Sequence, residues 1–156
     1  HYPLRRQRQM CIRDSVCRYL SFYDPHLKKR FRLPLVHIRI KHSRNTIRTD
    51  ALVDSGATTT FIPIELTEVL GIELPEETSE AIGANGSFPI YRVKIDLIEV
   101  LKSRQSFCRF KDICVSIPAK KDSIPYPVLG RDSIFRCYDI TFRENREHIV
   151  FKRPKK

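Results

Sequence analysis

Long hydrophobic runs are missing from this sequence of 156 residues. No stretch contains the roughly eighteen consecutive apolar residues that a membrane-spanning helix requires, so we expect no membrane span and no membrane partner. The basic N-terminus is not followed by the apolar segment that a secretory signal contains. These absences argue against a membrane-embedded or secreted protein.

Cysteine and histidine motifs are missing as well. The five cysteines are an odd number and form no C-x-x-C pair, so a disulfide framework is not predicted. A reducing compartment, the cytoplasm, is therefore the expected location. The five histidines are scattered and include no H-E-x-x-H motif, and we expect neither a metal nor a cofactor.

Positive charge is concentrated in the N-terminal third of the chain. Residues 1–53 contain thirteen Lys and Arg against three Asp and Glu, whereas residues 54–156 contain sixteen against fifteen. Residues 1–30 show no clean hydrophobic period, and we interpret them as a basic N-terminal extension: a disordered arm, a helical arm or an artefact of sequence assembly. A basic arm can bind nucleic acid or an acidic membrane. Basic arms without interleaved aromatics are usually only solvated, so nucleic acid is not the expected partner.

From residue 31 onward the sequence has the pattern of short β-strands. Residues 33–41 alternate with a period of two, and residues 47–53 form a second strand after a turn-like segment. Residues 63–71 predict a short helix that begins at Pro63 and ends at Gly71. Further strands are predicted within 79–100, 107–117, 138–142 and 148–152, with a helical turn at 131–136. We therefore predict an all-β domain over residues 31–153, a small closed β-barrel with one or two short helices, followed by a basic tail at 154–156.

The most informative segment is the triplet Asp54-Ser55-Gly56, which follows an apolar strand. An aspartic protease needs two carboxylates that face each other across a water molecule and share a proton. One carboxylate then acts as base toward the water, and the other acts as acid toward the peptide carbonyl. In this scheme Ser55 offers a hydroxyl to the opposite loop, Gly56 lets the substrate backbone approach, and Ala57 leaves room beside the scissile bond.

The surroundings of the triplet decide between a catalytic loop and an ordinary turn. A triplet of this composition is common by chance, and alone it would indicate only a turn after a strand. Here an A-T-T-T-F-I-P run follows it, and a V-L-G-R-D element, residues 128–132, lies downstream in the expected order. Phe61, Ile62 and Val128 indicate apolar substrate pockets.

These motifs resemble those of the retropepsin family, which comprises the retroviral proteases and their single-domain cellular and prokaryotic relatives. The matching segments are Val53-Asp54-Ser55-Gly56-Ala57 and Val128-Leu129-Gly130-Arg131-Asp132, and the similarity extends over about residues 33–151. The resemblance implies an acid-protease barrel that carries half of an active site, a homodimer, a flap over the cleft and hydrolysis of peptide bonds. Because only one D-S/T-G triplet is present, the two-lobed pepsin type is excluded.

The resemblance also implies roles for individual positions. Asp54 is expected to be the catalytic carboxylate, and the second one would come from an identical chain. The Asn85-Gly86 pair predicts a tight hairpin turn with positive φ. The implied roles are the active-site loop for Ser55, Gly56 and Ala57, the flap tip for Gly83, Ala84, Asn85 and Gly86, a pocket wall for Val128, a crossing behind the loop for Gly130, and the start of a helix for Arg131.

One position departs from the family pattern. Many viral members carry an acidic residue just after the D-S/T-G-A run, and it pairs with the helix arginine. Thr58 occupies that position here. Arg131 therefore needs another partner, for which Asp132 and a backbone carbonyl are candidates.

Alternative interpretations remain at the level of the sequence. Ser55 as a nucleophile lacks a G-x-S-x-G elbow and an obvious histidine partner. The Gly83–Gly86 segment is either a flap tip or a plain hairpin turn, and it lacks the lysine of a phosphate-binding loop. For the whole protein, the alternative to an aspartic endopeptidase is a non-catalytic, retropepsin-like module for dimerisation or peptide binding.

Overall fold

The computed structural model describes residues 14–155, whose regular secondary structure is mostly β-strand with only two short α-helices, so the all-β fold class is confirmed. Neither helix in this range is long and apolar enough to cross a membrane. A single 3-10 turn, Glu144–Arg146, joins the last two strands. The elements in chain order are β1 (Asp14–Arg18), β2 (Leu20–Asp24), β3 (Lys29–Leu33), β4 (Leu35–His42), β5 (Asn45–Val53), α1 (Glu65–Leu70), β6 (Ser79–Gly83), β7 (Gly86–Lys102), β8 (Gln105–Pro118), β9 (Val128–Leu129), α2 (Ile134–Cys137), β10 (Asp139–Arg143) and β11 (His148–Lys152).

The main sheet has six strands, and it places the D-S-G triplet at the end of an inner strand. Its order is β6-β7-β4-β5-β9, with β8 paired to the long strand β7. All of these pairs are antiparallel except β5 with β9, which run parallel. Over residues 14–155 no sheet closes into the expected barrel, because the series of paired strands ends at β6 on one side and at β9 on the other.

The core explains why the predicted strands form. Ile38 and Ile40 on β4 and Ala51 and Val53 on β5 alternate into a fully or almost fully buried cluster, as a strand period of two requires. Helix α1 packs against β5 and ends at Gly71, whose φ of 65° is the left-handed value expected there. The helix begins two residues after the predicted start.

Residues 14–30 form part of the fold. Strand β1 pairs antiparallel with β11, so that β1, β11 and β10 make a three-stranded sheet from segments near both ends of the described range. Tyr19 is buried, its hydroxyl donates to Glu144 Oε2 at 2.9 Å, and burial raises its pKa to about 12. Over residues 14–30, strands thus replace the disordered or helical arm suggested by the sequence. Residues 1–13 of that extension lie outside the described residues.

A buried carboxylate ties three neighbouring strands together. Glu99 on β7 is opposite Arg39 on β4 and opposite Arg109 on β8, so the strand register brings one acid between two bases. Arg39 Nε donates to Glu99 Oε2, and Arg109 Nε lies 3.0 Å from Glu99 Oε1. Because the Glu99 side chain is only 2% exposed, these partners must replace the water that it loses on folding.

Replacing Glu99 by Gln is expected to lower the free energy of unfolding by about 1–3 kcal/mol at pH 7, because charge-assisted hydrogen bonds are lost at a buried site. The hydrogen bond from Arg39 holds the pKa of Glu99 below its usual value of 4.5, against the opposing effect of burial. The stabilisation is therefore complete above the unfolded-state pKa and is lost as the pH falls through the lowered folded-state pKa. Thermal unfolding of both proteins from neutral to acidic pH measures this difference, which should shrink in acid.

The exposed Glu77 offers the matched control. The variant Glu77→Gln should unfold like the parent at every pH in the series. A Glu99→Gln variant as stable as the parent at pH 7 would contradict the stabilising role of the ion pairs that Glu99 forms with Arg39 and Arg109.

Candidate active site

Asp54 is held at the tip of a tight loop where β5 ends. Its backbone N–H donates to Leu129 O at 3.1 Å, and its carbonyl accepts from Ala57 N–H at 3.3 Å. The side-chain Oδ1 accepts from Gly56 N–H at 2.8 Å. Asp54 as a whole is partly exposed, so the loop fixes one carboxylate oxygen and leaves the second available for chemistry.

Strand β9 and the residues after it support this loop from behind. The parallel pairs Leu52 with Val128 and Val53 with Leu129 bring the two motifs of the sequence together. Arg131 N–H then donates to Ala57 O at 2.8 Å. A Cβ atom at Gly130 would lie 2.2 Å from the Thr59 carbonyl oxygen, so only glycine allows the two backbones to approach this closely.

A small polar network under the loop involves a threonine that the sequence did not single out. The Thr60 hydroxyl donates to Asp132 Oδ1 at 2.9 Å, lies 2.8 Å from Ser133 Oγ, and accepts from Gly130 N–H at 3.3 Å. Thr60 is fully buried, so these bonds satisfy a hydroxyl that burial would otherwise penalise.

The network also settles which group Asp132 contacts. Asp132 binds Thr60 rather than Arg131, for which the sequence had offered it as a partner. Among residues 14–155 the Arg131 side chain has no hydrogen bond or ion pair, and it is exposed to solvent. Its backbone N–H, in contrast, is bound to the active-site loop.

Asp54 opens onto a cleft with a volume of about 500 Å³. Phe61 forms one wall, because its backbone is bound to Val128 in both directions, with N···O distances of 2.8 and 2.9 Å. Its ring centroid lies 6.3 Å from that of Phe88 on β7. The lining residues are Asp54, Gly56, Ala57, Phe61, Ile82, Gly83, Phe88, Pro89, Pro118, Lys120, Ser123, Ile124 and Val128.

Two of the three predicted pocket residues line this cleft. Phe61 and Val128 do so, whereas Ile62 is fully buried in the hydrophobic core and is absent from the lining. Adjacent residues of an extended chain face opposite sides, so the backbone bonds that turn Phe61 toward the cleft turn Ile62 away from it. Ile62 thus belongs to the core rather than to the cleft wall.

The β6–β7 hairpin stands beside the cleft with an exposed tip. Gly83 pairs with Gly86, which leaves Ala84 and Asn85 as the two turn residues. The predicted hairpin is present, but only Gly86 has positive φ, at 102°, whereas a mirror-image turn would require positive φ at the turn residues themselves. Gly83 is the tip residue that lines the cleft, together with Ile82, a residue that is 90% exposed.

Tyr126 links the N-terminal strands to the site. Its ring meets that of Phe22 on β2 edge to face, with centroids 5.3 Å apart. Burial raises the pKa of the Tyr126 phenol, and the negative charges of Asp54 and Asp24 raise it further. The hairpin of β2 and β3 therefore packs, through Phe22, against the loop that precedes β9.

Several lining residues were not predicted from the sequence. Ile82, Phe88, Pro89 and Pro118 come from strands predicted only as structural elements, and Lys120, Ser123 and Ile124 come from the loop between β8 and β9. No motif marks them, because they meet only through the folding of β6 to β8. Within residues 14–155 no cluster of three His, Cys, Asp or Glu side chains is placed to hold a metal ion.

Comparisons with known proteins agree with this geometry. The family model described as aspartyl protease matches residues 36–132, a range that includes both Asp54 and Gly130. Among solved structures, this chain is similar to a retropepsin-like aspartic protease from Rickettsia conorii, with a TM-score of 0.59 and 15% identity over 88% of this chain and 97% of that one. A search of curated proteins found no match. The chain therefore belongs to the aspartyl protease family and has the retropepsin-like fold.

Proposed function

We propose that the protein is an aspartic endopeptidase that hydrolyses peptide bonds with water activated by an Asp dyad formed across a homodimer. The observation that carries the proposal is Asp54 itself, a carboxylate held by the Gly56 N–H at the wall of a cleft that is otherwise largely apolar. A carboxylate fixed at the wall of a largely apolar cleft is placed where acid–base chemistry on a bound peptide requires one.

The described residues of one chain supply half of the required chemistry. Among the residues that line the cleft, Asp54 is the only carboxylate. Activation of water and protonation of the leaving group need a base and an acid, so a second copy of Asp54 completes the site. One Asp54 accepts a proton from the water that attacks the peptide carbonyl carbon, and its twin donates the shared proton to the carbonyl oxygen. The first Asp54 then gives its proton to the amine nitrogen as the C–N bond breaks, and the second recovers a proton as the new carboxyl group forms.

The strand edges support a symmetric dimer, and the β6–β7 hairpin supports the binding of a peptide. Among residues 14–155 the three-stranded sheet β1-β11-β10 has β1 and β10 as its edges, and an unpaired strand edge can add a strand from a second copy. Ile82 lies beside the cleft and is 90% exposed, which suits a hairpin that closes over a bound peptide. The four cysteines within residues 14–155 are unpaired, in keeping with the proposed cytoplasmic location.

Dilution is expected to reduce the activity per milligram of protein, because the site exists only in the dimer. Cleavage of a peptide library identifies a substrate, and its turnover is then measured over a series of enzyme concentrations. An inert carrier protein at constant concentration controls for loss on surfaces. Sedimentation measures the dimer fraction over the same series, and a pepstatin-like transition-state mimic should abolish cleavage. Full activity in a sedimenting monomer would refute the shared site.

A further inference from the structure

Lys120 is the one basic residue among those that line the cleft. The only other ionisable group there is Asp54, and the remaining walls are built of apolar residues, glycine, proline and a serine. The Lys120 side chain is exposed, and within residues 14–155 its ammonium group has no hydrogen bond or ion pair. A residue of the cleft wall therefore carries a positive charge that no group among residues 14–155 pairs with.

The loop that carries Lys120 is anchored on both sides of it. Ala119 N–H donates to the carbonyl of Pro89 at 3.0 Å, and Pro89 is itself a lining residue. On the other side Asp122 N–H donates to Glu65 Oε1 at 2.7 Å. The Ser123 hydroxyl closes the turn by donating to the Lys120 carbonyl at 2.6 Å. The backbone of Lys120 is thus held at the cleft rather than left free to swing away from it.

We infer that Lys120 determines substrate specificity, by selecting peptides that carry an Asp or Glu side chain next to the apolar residue that enters the cleft. This inference rests on the proposed peptidase function and adds the substrate class. An ammonium beside apolar walls attracts a carboxylate more strongly than one in open water, and it repels Lys and Arg in the same position. Selection of this kind combines an attractive and a repulsive element.

The competing explanation is that Lys120 contributes only its aliphatic stem. Lysine often covers apolar surface with its methylenes while the charge stays in water. In that case the charge of the peptide would not matter, and Lys120→Met, which keeps a stem of similar length, would behave like the parent. The two explanations therefore differ in their response to peptide charge.

The test uses one cleavable peptide in three versions, with Glu, Gln or Lys at the position that flanks the apolar residue. For the full chain we expect kcat/KM to fall from Glu to Gln to Lys by about three- to tenfold at each step, the effect of a partly exposed charge pair. Lys120→Glu should reverse this order, and Lys120→Met should flatten it. Added salt should reduce the preference, because the charges are close to solvent.

Lys121 is the matched control, because it is the adjacent lysine, is also exposed, and does not line the cleft. Lys121→Glu should keep the order of the parent. If Lys120→Glu still cleaves the three peptides with kcat/KM falling from Glu to Gln to Lys, the inference is overturned. Equal cleavage of all three peptides by the parent would also overturn it while leaving the peptidase function intact.

A binding measurement separates failure of this inference from failure of the proposed function. Fluorescence anisotropy of the three labelled peptides with the Asp54→Asn variant should give the same order in Kd, without any turnover. If the parent cleaves no peptide but this order appears, the peptidase function fails and the specificity of the cleft stands. If the peptides bind without regard to charge, the inference fails.

Discussion

Replacing Asp54 by Asn is expected to reduce peptide cleavage by about a thousandfold or more, the scale on which loss of an essential acid–base group acts. The variant removes the charge and keeps the size of the side chain. In the dimer both copies of Asp54 change at once, so that neither a base for the water nor an acid for the carbonyl remains. Steady-state kinetics on a peptide that the parent cleaves gives the ratio of kcat/KM.

The fold should survive this substitution because the side-chain oxygen of asparagine can replace the carboxylate oxygen that accepts the loop hydrogen bond. Asp54 Oδ1 accepts the Gly56 N–H at 2.8 Å, and an amide oxygen accepts the same bond. Asp50→Asn is the control, since Asp50 is a half-exposed carboxylate on the same strand that pairs with His37 and does not line the cleft. That control should keep full activity, and thermal unfolding should show both variants folded.

The same variant tests the dimer. Two facing carboxylates repel each other, so Asp54→Asn should associate at least as tightly as the parent when measured by sedimentation. If Asp54→Asn cleaves as fast as the parent, Asp54 is not catalytic and the proposed mechanism is wrong. If the parent binds peptides and cleaves none, the alternative of a non-catalytic binding module takes its place.

The parts of the site that the sequence predicts are those whose residue types are set by the geometry of the backbone. Asp54 and Gly56 are two positions apart, so the hydrogen bond between them forms within the loop itself. Gly130 is remote in sequence, yet its type is dictated by the close approach to Thr59, which leaves glycine as the only residue that fits. The parallel pairing of β5 with β9 then brings both segments together.

The parts that the sequence does not predict depend on distant partners. Strand β1 forms because β11 offers it an edge, and the two segments are separated by almost the whole chain. Phe61 and Ile62 are both apolar, so the hydrophobic pattern of the sequence does not show which of them faces the cleft. The pairing of Phe61 with Val128 decides this. Lys120 lies in a loop without any motif, and only the anchors to Pro89 and Glu65 bring it to the cleft.

Replacing Gly130 by Ala is expected to lower the free energy of unfolding by at least about 3 kcal/mol, at the upper end of the usual cost of overpacking. The added Cβ would lie 2.2 Å from Thr59 O, 2.5 Å from Thr59 C and 2.9 Å from Ala57 O. All three are backbone atoms, which cannot rotate away as a side chain can. The strands must separate instead, and that movement breaks the bonds from Arg131 N–H to Ala57 O and from Asp54 N–H to Leu129 O.

Gly83→Ala is the control for adding a methyl group near the same cleft. Its Cβ would come closest, at 3.1 Å, to the ring of Phe88, which can shift by the few tenths of an ångström required. Urea unfolding of the parent and both variants measures the costs, and only Gly130→Ala should lose much stability. A Gly130→Ala variant that keeps the parent's stability would contradict the expected cost of the added Cβ, and a loss of cleavage in that variant would then place the movement in the active-site loop. A variant that keeps both its stability and its cleavage activity would contradict the close approach of Gly130 to the Thr59 backbone, because a Cβ so near the Thr59 carbonyl requires that backbone to move.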